Sequence, residues 1–165
     1  NRFDYVGMKY LAVASTQALI ILGTLMLYYF ADILSMGRGW AWIIDTFPMF
    51  LTTMFCGVLL IVTYTSIGLA LSSVSRGKFF PGIALLAIIL GTKTLAAIVE
   101  GLFDKSILYL ISPYDSIAHV GQALIGANMM YDHPWVWSLV SVLAFNAISL
   151  YVLSVRVSSM EVTRE

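Results

Sequence analysis

FFPGIALLAIILGTKTLAAIVEGLF, from Phe79 to Phe103, decides the fold. Lys93 and Glu100 are its only charged residues, and it is otherwise apolar on every helical face. A bilayer core about 30 Å thick takes roughly 20 residues of helix at 1.5 Å per residue, so this run is long enough to cross it. A helix in water keeps one polar face; this one keeps none, which points to lipid and other spans as its surroundings. Seven residues correspond to about 700° of helical rotation, so Lys93 and Glu100 share a face, with Ala96 and Ala97 between them. Charges at membrane depth cost several kcal/mol unless paired or hydrated, so this face is expected to look into protein or a cavity.

Two readings of the pair stand side by side. In the first, Lys93 and Glu100 line a translocation path. In the second, each pairs with another helix or reaches an interface, because about 10 Å of rise stretches a direct ion pair between them.

Composition agrees with a membrane protein. The 165 residues are 60% hydrophobic and 11% charged, against about 25% charged in soluble domains. A net charge of zero argues against a broad basic surface for nucleic acid. The single cysteine, Cys56, cannot form an intrachain disulfide and reads as a small buried hydrophobe.

Four spans are predicted, at about 10–30, 49–71, 79–99 and 135–155, behind a cytoplasmic lead 1–9 and before a cytoplasmic tail 156–165. Gln17 in the first span reads as an interhelical hydrogen bonder, and Tyr28, Tyr29 and Phe30 close that span as an interfacial aromatic cluster. Gly37 and Gly39 break the connection 31–48, which carries Trp40 and Trp42. Gly57 and Gly68 are possible close-packing points in the second span. Pro81 falls in the first turn of the third span, where the missing amide hydrogen costs nothing.

The outer connection 100–134 is expected to form two short helical pieces. Leu102 to Ile111 is apolar but too short to cross, and Ser112-Pro113 breaks it. Asp115 is placed as the cap of a helix starting at Ser116, with Ile117, Val120, Leu124 and Ile125 on one face and Ser116, His119, Gln122 and Gly126 on another. Two such pieces joined at a proline read as an outer re-entrant or interfacial helical hairpin. Four spans put both ends on one side with Arg2, Lys9, Arg76, Lys78, Arg156 and Arg164, and the positive-inside rule makes that side cytoplasmic.

Catalytic motifs are missing from the sequence. It holds no phosphate-cradling glycine loop and no dinucleotide fingerprint. His119 and His133 are the only histidines, too few for a haem or a spaced metal site, and nothing in the spacing of Asp132, His133, Ser112 and Ser116 supports a hydrolase triad. No cofactor, metal or catalytic residue is expected.

Three stretches carry a family resemblance. Arg2-Phe3-Asp4-Tyr5-Val6-Gly7-Met8-Lys9-Tyr10 resembles the lead into the third span of type-2 ABC exporter permeases, departing from it in that Met8 separates Gly7 from Lys9. Tyr109 to Tyr114 is similar to the Ser-Pro-aromatic element after that family's fifth span, and Ser154-Val155-Arg156-Val157 with Glu161 is similar to the exit from its sixth. The resemblance covers the whole chain in order and spacing. It implies an all-α polytopic permease of which these are the last four of six spans, so that two spans precede Asn1. It further implies dimerisation with a second permease copy or paralogue, in a bacterial or archaeal plasma membrane, on cytoplasmic ABC ATPase subunits that bind the ATP. Arg2, Asp4 and Tyr5 then lie where an ATPase-coupling contact falls, and Ser112, Pro113 and Asp115 lie in the family's outer hairpin. The rival expectation is a membrane-anchor or assembly subunit without a transport path. The substrate is not readable.

Overall fold

A computed structural model of the chain describes residues 2–75, 77 and 79–162, with the side chains of 2, 3 and 159–162 outside the described set. Arg76, Lys78 and Arg164, and the side chain of Arg2, therefore lie outside the described residues. The chain is an all-α polytopic membrane protein. Its elements are α1 (Arg2–Ser35), α2 (Trp40–Val74), α3 (Phe80–Phe103), a 3-10 turn (Ser106–Ile111), α4 (Pro113–Ile125) and α5 (Trp135–Val162), with no strand among the described residues. The helices α1, α2, α3 and α5 are long and apolar enough to cross a membrane.

The spans outrun their predicted limits. Helix α1 starts within the expected polar lead and α2 starts at Trp40, so the connection expected over 31–48 shrinks to four residues. At 1.5 Å per residue both helices exceed 50 Å, more than the roughly 30 Å bilayer core, because a helix continues into water wherever no breaker stops it. Gly37 supplies the stop. Its φ of +58° is in the left-handed region, and the Arg38 amide donates back to the Ile33 carbonyl at 3.3 Å, closing a Schellman end. Pro48 lies inside α2, not ahead of it, where it removes one backbone bond without ending the helix.

Helix α2 is the centre of the bundle. It packs on α1, α3, α4 and α5, and 44% of its most apolar window is buried, against none for α1. Its buried surface is rich in small hydroxyl residues, as expected where helices pack without a hydrophobic drive between them. Thr65 donates to Gln17 Oε1 at 3.1 Å, Tyr10 donates to the Val62 carbonyl at 3.2 Å, and Asn146 of α5 donates to Thr63 at 2.9 Å. Gln17 thus joins α1 to α2. Gly57 gives close packing, since a Cβ there would sit 2.9 Å from Leu22 Cδ2, whereas nothing lies within 4 Å of the same position on Gly68. Tyr29 stacks on Phe50 and Trp42 at centroid distances of 4.3 and 6.0 Å, and its hydroxyl meets Thr46, so the aromatic belt locks the α1–α2 turn.

Between α3 and α5 the chain folds back into the bundle. Asp104 ends α3 in a left-handed conformation (φ +53°) that a short polar side chain tolerates. The 3-10 turn then runs down α3, the chain reverses at Ser112-Pro113, and α4 climbs back against α2 and α5. Lys93 lies ten residues before the end of α3 and touches Asp115, so the turn is about 15 Å below that end. The hairpin is inserted among the spans and is not laid across their ends.

Three details correct the sequence reading. Ser112, not Asp115, caps α4, and the helix starts at Pro113. The polar face of α4 is buried along with the apolar one, for Asp115, Ser116 and His119 are interior while Leu124 and Ile125 are exposed. Gly126 belongs to no face; at φ +71° it ends the helix, with the Ala127 amide donating to the Gln122 carbonyl at 3.0 Å.

Helix α4 packs tightly on α2 at Gly121, where a Cβ would stand 2.9 Å from Cys56 Sγ. We expect Gly121→Leu to lower stability by about 1–3 kcal/mol through overpacking, and Cys56→Ala to recover part of that loss. Thermal unfolding of the four-member mutant cycle in detergent measures both.

Candidate functional site

Most of the buried polar side chains lie on the inserted hairpin or against it. Its turn is built by Ser112-Pro113-Tyr114-Asp115. Ser112 takes the extended conformation of an N-cap, Pro113 fits the first helical position, and Ser112 Oγ accepts from the Asp115 amide at 3.5 Å. The Ser112 hydroxyl in turn donates to Asp115 Oδ2 at 2.6 Å. Asp115 also stands at the positive end of the α4 dipole, which favours its charge.

Three elements contribute to Asp115. Tyr131, from the loop after α4, donates to Asp115 Oδ1 at 3.1 Å, and Lys93 Nζ of α3 lies 3.8 Å from the same oxygen. Tyr64 of α2 is within electrostatic reach. The Lys93–Asp115 pair is asymmetric, for the lysine side chain is 55% exposed and the aspartate 5%. The ammonium also sits 5.2 Å from the centroid of the Tyr114 ring, a half-exposed neighbour.

Glu100 does not meet Lys93. Its Oε2 accepts from the Tyr109 hydroxyl at 2.7 Å, and Tyr109 stacks on Tyr131 at 4.6 Å over the buried Ala96. The hairpin therefore covers Ala96 and part of Glu100 and leaves Lys93 more than half exposed, each charge finding a separate partner there. The Glu100 hydrogen bond, aided by burial, pushes the Tyr109 phenol up to about 12. Burial and the Asp115 charge likewise raise that of Tyr131, so both phenols remain donors.

A second group pins the hairpin to α5. Ser138 Oγ lies 2.8 Å from His119 Nδ1 and 3.1 Å from His133 Nε2, bridging two rings whose centroids are 4.7 Å apart. His119 Nε2 and His133 Nδ1 are buried without a partner among the described residues. Burial lowers the pKa of both, with the neighbouring His133 adding to the effect on His119 and Asp132 opposing it on His133. No cluster of three metal-ligating side chains occurs among the described residues. Ser112 is engaged by Asp115, and Ser116 donates to the carbonyls of Tyr109 and Leu110, so neither serine forms a triad with His133.

The other candidates lie apart from this network. Gln17 faces Thr65 between α1 and α2, while Tyr5 is exposed and Asp4 is engaged by a neighbour at the opposite end of the bundle. The sequence reading did not include Tyr109, Tyr131 and Ser138 in the site. The only local signal for any of it was the Ser-Pro-x-Asp pattern of a capped helix start.

No family model, curated protein or solved structure matches the chain. Fold and site define the class, an all-α polytopic membrane protein with an inserted polar hairpin.

Hydrogen bonds to a charged acceptor are worth about 1.5–3 kcal/mol, so Asp115→Ala is expected to lose about 3 kcal/mol and to expose segment 104–134 to proteolysis. Lys93→Ala, at a half-exposed pair, is expected to lose under about 1 kcal/mol. Limited proteolysis and thermal unfolding separate the two.

The histidines give a pH dependence of definite sign. A histidine whose folded pKa lies below its unfolded value of about 6.5 binds protons more readily when unfolded, so stability rises with pH through that window. Their contribution is complete above about 6.5 and falls as pH drops toward the folded values, with a limiting slope of about 1.4 kcal/mol per pH unit for each histidine. Unfolding between pH 7.5 and 5 is expected to show this loss, and His119→Gln/His133→Gln to flatten it.

Proposed function

We propose that the chain is the permease half of an ATP-driven exporter, coupled to separate cytoplasmic ATPase subunits and paired with a second permease copy or paralogue in a bacterial or archaeal cell membrane. The observation that carries this reading is Lys93. A cation more than half exposed, some ten residues from the end of a span, is stable only beside water or another protein surface, not beside lipid. The face of α3 that bears it accordingly adjoins either an aqueous path or the second subunit. The largely uncovered surfaces of α1 and α3 fit a half-transporter that completes its packing with further spans. The order of the chain's leads, spans and hairpin supports the same family.

In this mechanism ATP binding closes the two ATPases and biases a bistable arrangement of the spans. Tyr5, exposed on the first turns of α1 beside Asp4 and Arg2, is the coupling candidate. This chain contributes positioning and a path, with the ATP on the partner.

A second reading, a membrane-anchor or assembly subunit, is favoured by one observation: both intramembrane charges have partners, Lys93 in Asp115 and Glu100 in Tyr109. Purification of the full-length protein in mild detergent with mass spectrometry of its partners separates them. The exporter reading expects a stoichiometric ATPase whose activity changes on Tyr5→Asp, and ATP-dependent transport that Lys93→Ala lowers without loss of assembly. An intact oligomer with no nucleotide-binding subunit overturns it in favour of the anchor.

A further inference from the structure

At the end of the bundle opposite the tryptophans, α1, α2 and α5 enclose a cavity of about 330 Å³, half open to the outside. Its floor is apolar, with Leu69 buried and Leu153 half-buried, and its mouth carries Lys9, Arg156 and Tyr5. Ser72, half-buried on the last turn of α2, adds a hydroxyl that makes no hydrogen bond among the described residues. Asp4 and Arg156 are engaged by neighbours, whereas Lys9 has no ion pair or hydrogen bond among the described residues.

Depth fixes what kind of molecule meets this cavity. Arg156 lies 21 residues after Trp135 on α5, and Lys9 lies 20 before Tyr29 on α1. At 1.5 Å per residue these separations are about 30 Å, the thickness of the hydrocarbon core, so cations and aromatic belt mark its two faces. The cavity is thus amphipathic along the membrane normal, apolar toward the hydrocarbon and basic where headgroups begin. Its volume is within the range of small-molecule sites.

We propose that this cavity is a binding site for an anionic glycerophospholipid, the phosphate held at Lys9 and Arg156 with the Ser72 hydroxyl as donor, and the first acyl segment lying on Leu69 and Leu153. The site does not depend on the exporter reading. It joins the beginning of α1 to the ends of α2 and α5, so an occupying lipid touches all three helices at once.

The test uses full-length protein, delipidated in mild detergent and exposed to vesicles of equal phosphatidylglycerol and phosphatidylcholine, with retained lipid counted by native mass spectrometry. One phosphatidylglycerol per chain in preference to phosphatidylcholine supports the site. A basic side chain at an anionic surface contributes about fivefold in affinity, so Lys9→Ala is expected to lower retention about fivefold and Lys9→Glu about 25-fold. Ser72→Leu, which fills the cavity, is expected to abolish the preference, and Lys105→Ala at the other end to leave it intact. Equal retention of the two lipids, or a preference that both Lys9 variants leave unchanged, overturns the proposal. So does inorganic phosphate in lipid-free detergent displacing the bound lipid from wild type but not from Lys9→Ala, which assigns the site to a soluble anion. Lys9 is exposed on its helix, so its variants decide the matter even where Ser72→Leu fails to fold.

Discussion

A backbone that leaves the helical state at membrane depth has no water to complete its hydrogen bonds, and the segment from Asp104 to Pro134 is organised by that constraint. Its solution is a turn whose polar groups satisfy one another. Ser112 and Asp115 close the start of α4 reciprocally, Tyr131 completes the carboxylate, and Ser141 of α5 donates to the Leu110 carbonyl at the end of the 3-10 turn. Non-helical chain is tolerable there because α3 and α5 flank the 3-10 turn and α4 returns against α2 and α5. The same enclosure explains why the hairpin holds most of the buried ionisable groups. Once the turn is sheltered from lipid, a carboxylate at the positive end of α4 is stabilised.

The central position of α2 is the complement of this arrangement. A helix that packs on four others needs both close approach and polar contact, and its sequence alternates the two. Gly57 lets Leu22 in, while Thr63, Thr65 and Ser66 reach α5 and α1 through single hydroxyls. Short side chains with one hydrogen-bonding atom suit this task, since they leave no charge unpaired and no long rotamer to fix.

The spans were legible in the sequence because length and apolarity are local properties, and the bilayer imposes a threshold on both. Their ends were not. Helix α1 begins well before Tyr10 and α2 begins before Pro48, because nothing in bilayer thickness obliges a helix to stop at the boundary. At the hairpin, the Ser112-Pro113 break was readable from proline stereochemistry. The cap itself was misplaced by three residues, since serine and aspartate are both good caps and the proline at the first helical position favours the residue before it. The partners of Lys93 and Glu100 were out of reach for a different reason. Asp115 and Tyr109 come from the returning chain, and no periodicity within α3 contains them. The buried polar face of α4 followed the same logic, for a helix enclosed on several sides has no solvent to which its polar residues can turn.

The bridge from His119 through Ser138 to His133 has a consequence in its arithmetic of protons. A serine hydroxyl carries one hydrogen, so it donates to one ring and must accept from the other. Because the serine meets Nδ1 of His119 and Nε2 of His133, the two neutral imidazoles are held in the same tautomer, with one outer nitrogen bare and the other protonated. Shifting the hydrogens along the bridge alone does not exchange these roles, because it leaves one ring with two N–H groups and the other with none; a proton must also pass from one outer nitrogen to the other. The polarity of the bridge is thus fixed by which of the two outer nitrogens, both buried without a partner among the described residues, carries the proton.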